Sequence, residues 1–138
     1  MFLLYNLILH LGSLVGLPLI LFDLATTPKH RTGLKEKAGF LPRNVREGLR
    51  GQEVIWLHAV SVGEVIAALP LMKELKRTFS ETKLVVSTGT ATGQRTAREK
   101  AVAADYVIFA PLDFAWPVKK TLQVLHPNLF VVMETELW

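Results

Sequence analysis

A glutamate at the start of a predicted helix is the residue of this sequence best suited to chemistry. Glu64 ends the stretch His58–Glu64, which reads HAVSVGE and follows the apolar run Val54–Leu57. A helical pattern, Val65–Phe79, comes next, so the stretch is predicted to be the turn from a buried strand into a helix. A carboxylate in such a turn can accept the proton of an attacking hydroxyl group, which is general-base chemistry.

The same turn has the spacing of a purely structural motif. Ser61 and Glu64 fit the S-x-x-E capping box, in which each side chain accepts a hydrogen bond from the other residue's backbone N–H. Gly63 lets the backbone turn tightly. A helix that begins at the C-terminal end of a parallel strand also offers N–H groups to anionic ligands. The turn alone is therefore compatible with two interpretations, a structural capping motif and a ligand-binding site.

Strands and helices alternate along the chain after residue 53. The predicted strands are Val54–Val60, Lys83–Ser87, Tyr106–Ala110 and Leu129–Met133, and the predicted helices are Val65–Phe79, Ala91–Ala103 and Phe114–Leu125. Continuous apolar strands between helices are typical of a parallel sheet covered on both faces. In such a sheet the C-terminal strand ends share one edge. We therefore predict an α/β domain whose polar turns converge at that edge.

The turn after the second predicted strand is rich in glycine and hydroxyl groups. It reads STGTATGQR and contains Thr88, Gly89 and Thr90. Its backbone N–H groups could bind a phosphate or sugar hydroxyls, although a threonine-capped helix start would need the same residues. It matches neither the Walker A loop nor the dinucleotide-binding pattern G-x-G-x-x-G. The next turn, Pro111–Asp113, is predicted to be an ordinary helix entry with Asp113 as its cap.

Two acidic residues follow the last predicted strand. Glu134 and Glu136 are two positions apart, so both face one side if the strand continues. A pair of acids can bind a metal, but no histidine or third acid lies nearby in the sequence, and we predict no metal site. His58 lies within the first predicted strand and is interpreted as a packed histidine. The chain has no cysteine, which excludes disulfides and thiolate metal sites.

The beginning of the chain is strongly apolar. Phe2–Phe22 contains no charged residue and would be about 31 Å long as a helix, which matches a bilayer core of about 30 Å. A signal peptide would need basic residues before the apolar run and a small-x-small site after it. A buried core helix would seldom be apolar all round. We predict a membrane-anchor helix within residues 1–28.

The excess positive charge lies in residues 29–50, which carry seven basic and two acidic residues, whereas residues 51–138 carry nine of each. After an anchor, such a segment places the following chain in the cytoplasm and attracts anionic head groups. Two interpretations are open: the basic residues only fix the membrane topology, or they belong to a loop that holds an anionic ligand. No nucleic-acid-binding motif occurs, and aromatic residues do not interleave with the basic ones, so we predict no nucleic-acid partner.

Four motifs in order resemble a known family. HAVSVGE, STGTATGQR, the Pro-Leu-Asp turn and METELW are similar to segments in the N-terminal half of the 3-deoxy-D-manno-octulosonic acid (Kdo) transferases of Gram-negative bacteria. The resemblance covers essentially all 138 residues. It implies a GT-B glycosyltransferase with two Rossmann-like domains, of which residues 51–138 are the N-terminal acceptor domain, incomplete here, and the C-terminal donor domain is absent. Lys35–Gly39 is similar to a family segment that more often reads Glu-Arg-x-Gly.

The resemblance also implies a function. The family transfers Kdo from CMP-Kdo to a lipid A precursor in lipopolysaccharide synthesis, at the cytoplasmic face of the inner membrane, and no metal or other cofactor is implied. The glutamate of the SVGE motif, taken as the general base, corresponds to Glu64, and inverting sugar transfer needs such a carboxylate. The candidate acceptor-binding residues are Ser61, Gly63, Thr88, Gly89, Thr90, Glu134, Glu136, Arg31, Lys35 and Lys37. The alternatives are a membrane-anchored nucleotide- or phosphate-binding module without catalysis, and a truncated fragment that is inactive alone.

Overall fold

A computed structural model describes residues 33–133 of the chain. Four strands form a parallel sheet in the order β3-β2-β1-β4, with β1 at Val54–His58, β2 at Lys83–Thr88, β3 at Tyr106–Phe109 and β4 at Leu129–Val132. Five helices accompany them among these residues: α1 (Leu34–Lys37), α2 (Arg43–Gly48), α3 (Val62–Thr78), α4 (Ala91–Lys100) and α5 (Ala115–Leu125). The predicted α/β fold with a parallel sheet is confirmed, and the arrangement fits a Rossmann-like domain.

Helices cover both faces of this sheet. One core lies under α3 and α4 and includes Ile55, Leu57, Val65, Ala68, Met72, Leu84, Val86 and Ala97. The other lies under α2 and α5 and includes Leu41, Val45, Leu49, Val54, Trp56, Val85, Ile108 and Leu125. Alternate residues of each strand enter opposite cores because successive side chains of a strand point to opposite faces.

The turn between β1 and α3 is shorter than the sequence pattern suggested. Strand β1 ends at His58, two residues before the predicted end at Val60, and α3 begins at Val62, three residues before the predicted start. The reason is the capping box of Ser61 and Glu64, which starts the helix directly after Ser61. The polar side chains of this turn are therefore part of the helix start itself.

The described part of the basic segment, residues 33–50, contains two short helices, α1 and α2, and is not a simple loop. Leu41, Val45 and Leu49 are each only 4% exposed and pack against the sheet. Their spacing of four residues puts them on one side of α2 and its flanks. Burial of these apolar side chains stabilises α2, which is too short to form alone.

The predicted cap of α5 is wrong by one residue. Phe114, and not Asp113, occupies the N-cap position, with φ −119° and ψ 143° and no side-chain capping hydrogen bond. The third helical residue is Pro117, which has no N–H for a capping side chain to bind.

No helix within residues 33–133 is long and apolar enough to cross a bilayer. The predicted anchor at Phe2–Phe22 lies outside the described residues.

Candidate active site

The turns after β1 and β2 meet at the edge of the sheet where the parallel strands end. The Ala59 N–H donates to the Ser87 carbonyl oxygen at 2.9 Å, and the Gly89 N–H donates to the Val60 carbonyl oxygen at 3.1 Å. These two bonds continue the pairing of β1 with β2 past the last register pair, His58 and Ser87. The predicted convergence of the first two turns is therefore observed.

Three donors of the first turn hold the Glu64 carboxylate. Oε2 accepts from the Val60 N–H at 2.7 Å, and Oε1 accepts from the Ser61 N–H at 3.1 Å and from the Ser61 hydroxyl at 2.7 Å. The Glu64 N–H in turn donates to the Ser61 Oγ at 3.4 Å, which completes the capping box predicted from the sequence. The carboxylate is thus fixed in position by its own helix start.

Within residues 33–133, the surroundings of Glu64 are open and carry no compensating cation. Glu64 forms no ion pair with any Lys or Arg in the described part of the chain. A Cβ atom on the neighbouring Gly63 would meet only the Ser61 Oγ, at 3.9 Å, so the space above the first turn is accessible. The N–H groups of Val62 and Gly63, in the first turn of α3, have no intrahelical partner.

The start of α4 lies directly beside the start of α3. The Thr90 Oγ1 caps α4 by accepting the Gly93 N–H at 3.0 Å, which confirms the threonine-capped start. A Cβ atom on Gly93 would lie 3.3 Å from the Val60 carbonyl oxygen and 3.5 Å from the Ser61 carbonyl carbon. Only a residue without a side chain lets the two turns approach this closely, so two helix N-termini are adjacent at this edge. The glycine spacing of the second turn is the sequence signal for this contact.

Two candidate residues of the second turn support packing. Thr88 is fully buried, and its hydroxyl donates to the Gln94 Oε1 at 2.6 Å, while the Gln94 Nε2 donates to the Val107 carbonyl oxygen at 3.3 Å. A Cβ atom on Gly89 would lie 3.0 Å from the Val60 Cγ1. Thr88 therefore holds α4 on the sheet, and Gly89 lets the two turns pair.

Helix α1 lies at the C-terminal end of the edge strand β3. The Glu36 Oε2 accepts the Phe109 N–H at 2.8 Å, and the Leu112 N–H donates to the Lys37 carbonyl oxygen at 2.8 Å. The Lys37 Nζ lies 5.0 Å from the centre of the Phe109 ring. The candidate residues Lys35 and Lys37 therefore lie at the C-terminal ends of the strands, as Glu64 does.

Three of the other candidates, Arg31, Glu134 and Glu136, lie outside the described residues. Among residues 33–133, no group of three or more His, Asp or Glu side chains is arranged to hold a metal ion.

His58 belongs to a hydrogen-bonded group that the sequence did not reveal. Its Nδ1 lies 2.8 Å from the Ser87 Oγ, which also accepts the Trp56 indole N–H at 2.8 Å. Burial lowers the pKa of His58 below its ordinary value of 6.5, although the charge of Glu64 and a hydrogen bond with the Ser87 backbone act in the opposite direction. The half-buried imidazole is consequently neutral at pH 7. Only the strand register, which pairs His58 with Ser87, brings these residues together.

Comparison with known proteins points to one family. The family model described as 3-deoxy-D-manno-octulosonic-acid transferase (kdotransferase) matches residues 32–138. The chain is similar to the 3-deoxy-D-manno-octulosonic acid transferase of Haemophilus influenzae, with 37% identity over 114 residues that cover 81% of this chain and 26% of the relative. The transferase of the same description from Chlamydophila psittaci is 30% identical over 136 residues, which cover 98% of this chain and 31% of the relative.

A plant protein shows the same similarity over a shorter stretch. The probable mitochondrial 3-deoxy-D-manno-octulosonic acid transferase of Arabidopsis thaliana is 32% identical over 85 residues, which cover 62% of this chain and 19% of the relative. The chain thus spans less than a third of the length of each of these curated relatives.

Proposed function

Since the chain belongs to the 3-deoxy-D-manno-octulosonic acid (Kdo) transferase family, we propose that the whole protein is a glycosyltransferase that transfers Kdo. We further propose that CMP-Kdo is the donor, a lipid A precursor is the acceptor, and residues 51–138 form part of the acceptor domain. The observation that carries the proposal is the Glu64 carboxylate, which is fixed at the sheet edge, partly exposed, and beside the backbone of an open glycine.

Glu64 is the proposed general base. As the acceptor hydroxyl oxygen attacks the anomeric carbon of Kdo, its proton passes to the carboxylate, and CMP leaves from the opposite face of the sugar. The configuration at that carbon is thereby inverted, in the way that inverting glycosidases activate water. Three hydrogen bonds from the turn prevent the carboxylate from changing position, which favours a defined attack geometry.

The hydrogen bonds also indicate which oxygen takes the proton. An ionised carboxylate has about four lone-pair sites, two on each oxygen. Oε1 already accepts the Ser61 N–H and the Ser61 hydroxyl, whereas Oε2 accepts only the Val60 N–H among the described residues. The Oε2 atom therefore retains room for one more donor, and we propose that the acceptor hydroxyl occupies it.

The acceptor's charged groups have candidate partners around Glu64. The adjacent N-termini of α3 and α4 direct backbone N–H groups and positive dipole ends toward the same space, which suits a phosphate or polar sugar atoms. Lys35 and Lys37 add positive charge near this edge. We assign Ser61, Gly63 and Thr90 to the acceptor surface, with Thr88 and Gly89 behind them as supports.

We further propose that the protein works at the cytoplasmic face of the inner membrane, anchored by residues 1–28. The described residues support this with one surface feature. The rings of Phe40 and Trp116 are 51% and 56% exposed with centroids 5.5 Å apart, and the Lys120 Nζ lies 3.3 Å from the Phe40 ring centre. Exposed aromatic rings with lysine beside them are typical of the membrane–water interface.

A transfer assay on the full-length protein tests the proposal. With labelled CMP-Kdo and a lipid A precursor, the wild type should form Kdo-lipid A, and Glu64→Gln should be slower by at least about 100-fold, the scale of general-base catalysis. Glutamine keeps the size of the side chain and is accepted in a capping box, but it cannot take the proton.

Glu74→Gln is the matched control for this assay. Glu74 lies on the same helix and forms an exposed ion pair with Arg77, at 2.9 Å, so its substitution should leave the rate unchanged. Absence of transfer by the wild type would contradict the function, and binding of CMP without transfer would favour the non-catalytic module. Equal rates for the wild type and Glu64→Gln would contradict the assignment of the base.

A further inference from the structure

Three side chains on one face of the sheet form a hydrogen-bonded series that ends at the site edge. Trp56 and His58 are two residues apart on β1 and therefore face the same side of the sheet. Ser87 is the register partner of His58 on β2. The Trp56 Nε1–H donates to the Ser87 Oγ at 2.8 Å, and the Ser87 Oγ lies 2.8 Å from the His58 Nδ1. Trp56 also packs on Phe130, with ring centres 4.5 Å apart, which fixes the indole.

The chemistry of the three groups restricts which group donates and which accepts in each hydrogen bond. An indole N–H can only donate, so it uses a lone pair of the Ser87 oxygen. Ser87 is fully buried, and within residues 33–133 its hydroxyl proton has no other hydrogen-bond acceptor than the His58 Nδ1. When the Ser87 hydroxyl donates to Nδ1, the neutral imidazole carries its proton on Nε2, and this is the tautomer on which the acceptor contact depends.

The other ring nitrogen of His58 is left with a proton to donate. The Nε2 atom forms no hydrogen bond with any residue of the described range, and the side chain is only partly buried. His58 is the last residue of β1, at the edge where Glu64 lies, and the Glu64 charge acts on the imidazole. A partly buried imidazole that is held through Nδ1 keeps Nε2 for solvent or for a ligand.

We propose that His58 binds the acceptor: its Nε2–H donates a hydrogen bond to a hydroxyl oxygen of the acceptor sugar beside Glu64. Trp56 and Ser87 are positioning residues, because they act only through the tautomer and orientation of His58. This proposal rests on the proposed function and adds a specific contact to it. It gives the site an uncharged donor next to the carboxylate, which orients a sugar hydroxyl without neutralising the base.

The tautomer can be measured without any transfer activity. In the full-length protein labelled with ¹⁵N-histidine, the His58 signals are those lost in His58→Gln. Long-range ¹H–¹⁵N spectra at pH 7.5 should show His58 as the neutral form with the proton on Nε2, and Ser87→Ala should broaden or mix the two tautomers. A proton on Nδ1, or an imidazolium, in the wild type would overturn the proposal.

Two substitutions separate the contact with substrate from the contact with Ser87. The amide nitrogen of glutamine reaches about as far as Nε2, whereas that of asparagine reaches only about as far as Nδ1. In the transfer assay, His58→Gln should keep kcat/KM for the acceptor within about threefold of the wild type, and His58→Asn should lower it by about tenfold, the effect of one lost hydrogen bond. His58→Asn can keep the contact with Ser87 that His58→Gln loses, so a lower kcat/KM for His58→Asn at an equal or higher melting temperature would assign the loss to substrate binding and not to stability.

The possible results distinguish this proposal from the proposed function. Transfer by the wild type with equal kcat/KM for His58→Gln and His58→Asn would overturn the role of His58 alone. A lower kcat/KM for Ser87→Ala, at an unchanged kcat/KM for the donor, would support the positioning role of Ser87. Absence of transfer by the wild type would contradict the proposed function and the acceptor contact together, whatever the tautomer.

Discussion

Two carboxylates lie at opposite edges of the sheet, and both accept hydrogen bonds from the backbone. Glu64 lies at the C-terminal edge and accepts from Val60 and Ser61. Asp105 precedes β3 at the N-terminal edge and accepts the Leu84 N–H at 2.8 Å. The difference lies in their neighbours, because Asp105 also lies 2.9 Å from the Lys76 Nζ and 3.6 Å from the Lys83 Nζ.

The cations determine what each carboxylate can do. Burial alone would raise the pKa of Asp105, but the Leu84 hydrogen bond and the charges of Lys76 and Lys83 together bring it below its ordinary value of 3.8. Its charge is used within the fold. Glu64 is held equally firmly, yet no cation in the described range pairs with it. The comparison indicates that a fixed carboxylate without a paired cation is the one that remains available to a substrate.

The largest effect on stability is expected at Asp105. Asp105→Ala leaves the buried Leu84 N–H without an acceptor and removes the carboxylate that pairs with Lys76, so the free energy of unfolding should fall by about 2 kcal/mol. Urea denaturation of the full-length protein measures this change. Glu74→Ala removes only an exposed pair with Arg77 and should cost less than about 0.5 kcal/mol. Equal losses in the two variants would show that Asp105 is not a structural carboxylate.

A smaller effect is expected from the two helix caps. Ser61→Ala and Thr90→Ala each remove one N-cap side chain and should each lower the free energy of unfolding by about 1 kcal/mol. Of the two caps only Ser61 also binds the Glu64 carboxylate, so Ser61→Ala should lower the kcat of Kdo transfer, whereas Thr90→Ala, on the proposed acceptor surface, should chiefly raise the KM for the acceptor. Ser61→Thr, which keeps a hydroxyl, should restore both properties. An unchanged kcat for Ser61→Ala would show that Ser61 acts only as a cap.

The smallest effect is expected in the pH dependence of the contribution that Asp105 makes to the free energy of unfolding. Because the folded pKa of Asp105 lies below 3.8, the unfolded chain takes up a proton at that residue more readily than the folded chain does. The stabilising contribution of Asp105 is therefore present above about pH 4 and is lost as the pH falls through the lowered folded value. The difference in urea midpoint between the wild type and Asp105→Asn should narrow from pH 6 to pH 3. A constant difference would contradict the ion-pair account.

The fold after residue 53 could be predicted because the period of apolar residues differs between strand and helix. The two predictions that were wrong at helix N-termini concern capping residues. Helix α3 begins directly after its N-cap, Ser61, which is earlier than predicted, and Phe114 occupies the N-cap position of α5 that was assigned to Asp113. Helices α1 and α2 were missed because they have only four and six residues. Burial of Leu41, Val45 and Leu49 stabilises α2, and hydrogen bonds of Glu36 and the Lys37 carbonyl hold α1 against the end of β3. Neither contact is visible along the sequence.

The site was predictable only in part, for a similar reason. Glu64 stands out because an acid, a serine and a glycine share one turn, and its capping role is confirmed, while its role as base stays a prediction. The series from Trp56 through Ser87 to His58 depends on the register between β1 and β2. The burial of Thr88 depends on where α4 places Gln94. Neither the register nor the helix placement follows from local residue patterns.

The central claim is that Glu64, and not the equally fixed Asp105, serves the reaction. The most direct test compares Glu64→Gln with Asp105→Asn in the full-length protein, at a temperature where both are folded, by the rate of Kdo transfer to a lipid A precursor. We predict a loss of at least about 100-fold for Glu64→Gln and a rate within about threefold of the wild type for Asp105→Asn. A near-normal rate for Glu64→Gln would contradict the claim.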